Sequence, residues 1–183
     1  MGNNFTRRIY AINLLSIWLV LAYFTTVWAG DGIQQAGDIL QLVIPGAAAT
    51  MTFIRRDFDG AVQLGESEAL TLGVTYGLKY TVNEKRPNGG DHSFPSGHTS
   101  TSFSAAEFLR GRYGWEYGIP AYALASFVGY SRVESREHYT HDVIAGAGIG
   151  MLSSYLFTKS NRGWDVQVQG DSKKYGVQLS RAW

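Results

Sequence analysis

The chain has 183 residues, 45% of them hydrophobic and 17% charged, enough for one packed domain with an N-terminal extension. A net charge of +1, without any local run of lysines or arginines, gives no ground for a nucleic-acid partner. The absence of cysteine excludes disulfides, thiolate metal sites and cysteine nucleophiles.

Residues 1–8 are polar and end in Arg7-Arg8, and Ile9 to Trp28 is then almost uninterruptedly apolar. About 20 such residues span the hydrocarbon layer as a helix. The paired arginines stay on the cytoplasmic side and send the rest of the chain across. Val27-Trp28-Ala29 also offers residues that a signal peptidase reads. Residues 1–30 are therefore expected to be a signal peptide or a membrane anchor. Either exports the remainder, to the periplasm or the outer face of the inner membrane.

After a short glycine-containing linker, the apolar pattern resumes in helical blocks from about Gln34 to Ile54, Gly60 to Asn83, His98 to Arg112, Tyr117 to Val133 and His138 to Thr158. Pro45, next to Gly46, is expected to interrupt the first. Breaks fall at Arg55–Gly60, Arg86–Asp91 and Gly111–Gly114, where turn residues gather. Ile119 to Val133 and Val143 to Phe157 are apolar for only about fifteen residues, short of a membrane span. The second block carries Glu66, Glu68 and Lys79. A helical bundle outside the bilayer, resting on the membrane surface, is the expectation. The glycines and alanines of the last block suit close helix packing.

The tail changes period. Trp164–Gln169 and Tyr175–Leu179 alternate apolar and polar residues around Gly170-Asp171-Ser172, the pattern of a β-hairpin. The expected fold is thus all-α, a compact bundle of about five helices over residues 31–160. It follows the N-terminal apolar helix and carries a short β-hairpin over 161–183.

The chemistry gathers in one stretch. All four histidines, His92, His98, His138 and His141, lie within fifty residues of one another, with Lys79, Arg86, Arg132 and Asp142 around them. His138 and Asp142, four apart, share a face if both are helical. A carboxylate there fixes the imidazole tautomer, leaves Nε2 free to attack and stabilises positive charge on the ring. His98 follows Pro95-Ser96-Gly97 at a helix start, where backbone N–H groups bind anions and Ser96 can cap the helix. Lysine and arginine side chains match phosphate oxygens. Phosphoryl transfer is mostly positioning and neutralisation of charge.

Lys79-x6-Arg86-Pro87, Pro95-Ser96-Gly97-His98 and Ser131-Arg132-x5-His138-x3-Asp142 together resemble a known three-part signature. It belongs to the superfamily joining type 2 phosphatidic acid phosphatases, bacterial acid phosphatases and vanadium haloperoxidases, and every fixed position is filled in order. The resemblance implies that Lys79, Arg86, Ser96, Gly97 and Arg132 hold a phosphate. It further implies that His138 attacks phosphorus to give a phosphohistidine, that Asp142 orients it, and that His98 serves as general acid and then base. His92 and His141 lie outside the signature and are expected to tune the pocket.

No cofactor or metal is implied by the phosphatase reading. The substrate is expected to be a membrane-lipid phosphomonoester or diphosphate, met at the membrane surface. A soluble periplasmic acid phosphatase acting on small phosphoesters is the first alternative. A vanadate-dependent haloperoxidase is the second, and a divalent-metal hydrolase built on His138, His141 and Asp142 the third. Phe94, Phe103, Tyr113, Trp115 and Tyr117 are candidates for an apolar lip around acyl chains.

Overall fold

A computed structural model describes residues 32–161 with their side chains, and the backbone of 164–171 and 174–181. The apolar segment expected at the N-terminus lies outside the described residues. Five helices make up the bundle: α1 (Gly32–Ile54), α2 (Phe58–Val82), α3 (Gly97–Tyr113), α4 (Trp115–Glu134) and α5 (Thr140–Phe157). Backbone strands at Trp164–Asp171 and Lys174–Arg181 lie antiparallel with Trp164 opposite Arg181. They are not part of the bundle, and the fold class is all-α.

The central helix is α3, which packs against each of the other four. Two different interfaces hold it. Toward α1 and α4 the core is apolar, with Ile44, Ala48, Phe108, Tyr113, Ala125 and Val128 buried together. Toward α2 and α5 it is a seam of small polar residues, where Thr75 donates to Ser100 Oγ at 3.0 Å. Ser67, Thr71 and Ser104 are fully buried along the same seam. Close approach here depends on two glycines of α5. A Cβ at Gly146 would lie 2.6 Å from the Ser96 carbonyl oxygen, and one at Gly150 would lie 2.1 Å from that of Ser100. The small-residue packing expected of the last helix is therefore present.

Two expectations need correction. Pro45 does not interrupt α1, which runs through it for 23 residues. The ring removes one backbone donor, a loss that a helix buried on one side by Leu40, Ile44 and Ala48 absorbs. The last helix starts at Thr140, two residues after His138, because Tyr139 takes the N-cap position in an extended conformation.

The outer surface is strongly apolar. Leu42, Phe53, Ile119, Leu152 and Leu156 are each more than 60% exposed. Helix α1 is long and apolar enough to cross a membrane, and only 28% of its most apolar stretch is buried. A contiguous apolar belt of this kind is not the surface of a bundle standing in water.

Candidate active site

Each part of the sequence signature is delivered by a different local device. Lys79 sits in the last turn of α2, and its carbonyl accepts the N–H of Asn83, the left-handed C-cap. The chain then folds back over the helix end. His92 and Lys79 hold one another reciprocally: Lys79 Nζ donates to the His92 carbonyl at 2.8 Å, and His92 Nδ1 lies 3.0 Å from the Lys79 carbonyl. His92 thus tunes the pocket by fixing Lys79. Arg86 begins a tight turn in which its N–H bonds the Gly90 carbonyl at 2.7 Å. Gly89, at φ +89°, supplies the left-handed residue that this turn needs.

Ser96 caps α3, its Oγ accepting from the Thr99 N–H at 3.4 Å and the Thr99 hydroxyl at 3.0 Å. It is fully buried, so its hydroxyl serves the helix rather than the cavity. What faces an anion is the start of the backbone, since the first N–H groups of a helix have no intrahelical partner. Gly97 lines the cavity there.

His138 and Asp142 are not two positions on one helix face, because His138 precedes α5 and Asp142 belongs to its first turn. They meet all the same. His138 Nδ1 lies 3.4 Å from Asp142 Oδ2. That oxygen also accepts from the Tyr139 N–H at 2.9 Å and from Ser93 Oγ at 2.5 Å. The acid therefore caps its own helix while it orients the imidazole. At 3.4 Å the contact with the ring is looser than an ordinary hydrogen bond, as catalytic contacts often are before substrate binds. Asp142 is fully buried and His138 is 3% exposed. Burial, reinforced by the charges of Lys79 and Arg86, pushes the His138 imidazole down to about 4. The ring is neutral at physiological pH, and Nε2 is left for the cavity.

One cavity of about 300 Å³ brings Lys79, Arg86, Gly97, His98 and His138 together. Arg132 backs the site from beneath His98, with Nη1 on Asp38 Oδ1 at 2.6 Å and Nη2 on the Gln34 carbonyl at 2.6 Å. The aromatic wall differs from expectation. Tyr113 is buried in the core, and Phe103 and Tyr117 pack against it. The lining comes instead from Leu72, Tyr76 and Tyr80 of α2.

Three residues outside the signature complete the site. Ser93 bridges Asp142 and the His138 ring, lying 3.4 Å from Nδ1. Glu137 pairs with Arg86 and accepts from Asn88 Nδ2 at 3.1 Å. Asp38 Oδ1 lies 3.0 Å from His98 Nε2. Ser93 and Glu137 each adjoin a signature residue, a signal that a search of the flanking positions would have found. Asp38, some sixty residues from His98 and on another helix, carries no such signal.

Glu84, His141 and Asp142 also converge, with donor atoms within 4.8 Å of one another. The set differs from the His138, His141, Asp142 group expected of a metal hydrolase. His141 Nε2 already bridges the two carboxylates, at 3.1 Å from Glu84 and 3.2 Å from Asp142 Oδ1, which accounts for the cluster by charge pairing.

Comparison with known proteins agrees with this arrangement. The PAP2 superfamily model matches residues 88–164. A lipid A 4'-phosphatase of Helicobacter pylori is 32% identical, over 82% of this chain and 85% of that protein. The undecaprenyl-diphosphatase BcrC of Bacillus subtilis is 28% identical, over 81% and 65%. Among solved structures, the crystal structure of Aquifex aeolicus LpxE superposes with a TM-score of 0.62 at 21% identity, covering 74% of this chain and 92% of that one. That likeness supports the helical bundle and lends no support to a C-terminal hairpin.

Proposed function

The chain belongs to the PAP2 superfamily and is a membrane-associated phosphatase of that class; from this premise we propose that it hydrolyses the phosphate of a membrane lipid without a metal, through a phosphohistidine. The observation that carries the reading is the cavity itself. A buried neutral imidazole, oriented by a carboxylate, opens onto the same space as a lysine, an arginine, a helix start and a second histidine.

The steps balance with these groups alone. His138 Nε2 attacks phosphorus while the bond to the leaving alkoxide breaks, and His98 gives that oxygen its proton. Lys79, Arg86, Arg132 and the Gly97 N–H neutralise the equatorial oxygens. His98, now neutral, takes a proton from water as the water oxygen attacks phosphorus and the P–N bond breaks. The sum is ester plus water giving alcohol plus phosphate.

A lipid substrate is favoured over small soluble phosphoesters by the apolar outer belt and by the Leu72, Tyr76 and Tyr80 wall. On this reading the bundle sits in the bilayer, with residues 1–30 as a signal or anchor and the site opening on the non-cytoplasmic side. We would measure phosphate release from lipid and soluble phosphoesters with a chelator present, comparing the parent with His138→Ala. The expected result is chelator-resistant hydrolysis of the lipid, reduced by about a thousandfold or more in the variant, with acid-labile phosphate trapped on the parent alone. Activity that needs added metal, or survives the substitution, sinks the mechanism.

A further inference from the structure

We propose that Asp38 makes this site selective for lipid phosphomonoesters over diphosphates, because its carboxylate stands where the leaving group must lie. The inference rests on the role given above to His98 Nε2, the atom that delivers the proton to the departing oxygen. In the free enzyme the group facing that atom is Asp38 Oδ1, at 3.0 Å.

The same oxygen accepts from Arg132 Nη1 at 2.6 Å, so one carboxylate oxygen spans the general acid and a phosphate-binding cation. The anchor of this carboxylate is fixed. At the neighbouring Gly37, α1 is pressed so closely on α4 that a Cβ would lie 2.0 Å from Ser131 Oγ and 2.5 Å from Arg132 Nη2. The Gln34 carbonyl, one turn earlier, accepts from that same guanidinium. Asp38 can swing aside for a leaving oxygen, but it cannot leave the neighbourhood. Its side chain is 45% exposed where that of Arg132 is 2% exposed, which puts it at the wet edge of the site.

The leaving group of a monoester is an alcohol or a sugar, whose hydroxyls can donate to a carboxylate. The leaving group of a diphosphate is a second phosphate, which brings negative charge and, when ionised, no donor. Like charges held this close oppose one another strongly in a site partly shielded from water. The surroundings offer no relief. Arg86 is already paired with Glu137, Arg132 with Asp38, and Lys85 with Asp91, a further acid that lines the cavity. Membership of the superfamily leaves the choice between the two substrate classes open, and Asp38 closes it.

The test uses the full chain in detergent micelles with a matched pair, farnesyl monophosphate and farnesyl diphosphate, comparing the parent with Asp38→Asn and Asp38→Ala. The readout is the ratio of kcat/KM for the two substrates, from which any common loss through a disturbed His98 or Arg132 cancels. The parent is expected to favour the monophosphate, and both variants to reduce that preference about tenfold or more, the scale of one removed charge contact. A parent that prefers the diphosphate overturns the proposal. So does a ratio unchanged in both variants while the two activities fall together, which would leave Asp38 only a structural prop. A parent that hydrolyses neither substrate, with chelator or without, fails earlier, at the phosphatase reading on which the proposal rests.

Discussion

The imidazole of His138 lies well below its ordinary value because burial and two nearby cations oppose its protonation, while Asp142 pulls the other way. As the nucleophile must be neutral, the acid limb of kcat/KM for the free enzyme is expected near pH 4 to 5, about two units below that of a free histidine. Asp142→Asn removes the group that favours the cation, so it should lower kcat and move the limb further down; a limb at 6.5 in parent and variant alike would contradict the assignment. Stability follows the same linkage. Between about pH 6.5 and 4 the unfolded chain binds a proton at this position that the folded chain does not. The stability from the neutral buried ring is therefore complete above this window and lost as pH falls through it. The signature residues were legible in sequence because their spacing is fixed by the chemistry they share. Ser93, Glu137 and Asp38 were not, since each is recruited by a partner that only tertiary packing supplies. Arg132 was read correctly as part of the site, but its tie to Gln34 and Asp38 of α1 has no trace in local sequence.

Helices α3 and α5 carry the two histidines between them, so the distance between these helices governs the site. The Ser96 N–H donates to the Asp142 carbonyl at 3.1 Å, which joins the starts of the two helices directly. Further along, Gly150 faces backbone on α3, with a Cβ placed 2.1 Å from the Ser100 oxygen and 2.8 Å from the Ser104 nitrogen. Backbone cannot step aside as a side-chain tip can. Gly150→Val is expected to cost about 3 kcal/mol or more of stability, the upper range for overpacking, and to lower kcat by pushing α5 away. Gly148→Ala, with nothing within 4 Å of its Cβ, serves as the neutral control. Thermal unfolding in detergent alongside phosphatase assay measures both; equal behaviour of the two variants would show that the contact is not limiting. The helices themselves were legible from apolar spacing, with ends within about two residues of those observed. The errors sit where one residue answers to two demands. Pro45 reads as a breaker but lies in a helix held by its buried face, and His138 reads as helical because it stands four before Asp142, although the N-cap between them turns the chain.

For the molecule as a whole, the question is which solvent the bundle faces. Sequence reading put it outside the bilayer because two helices are short in apolar residues, a criterion that treats each helix alone. The folded surface argues otherwise, since the polar residues of α2 and α3 turn inward to the small-residue seam while Leu42 of α1 and Leu152 of α5 point out, 72% and 66% exposed. Internal satisfaction of polar groups with apolar faces outward is what hydrocarbon requires of a bundle. The absence of native cysteine makes this directly measurable, because each introduced thiol reports alone. Leu42→Cys and Leu152→Cys are expected to resist a membrane-impermeant maleimide until detergent is added. Lys85→Cys, exposed in the loop beside the site, should label at once in spheroplasts. Labelling at position 85 only after the membrane is opened would reverse the orientation inferred from Arg7-Arg8 and place the site on the cytoplasmic side. Labelling of all three at equal rates in intact membranes would return the bundle to water, and the apolar wall of the cavity would then have to take its lipid from the surface rather than from within the layer.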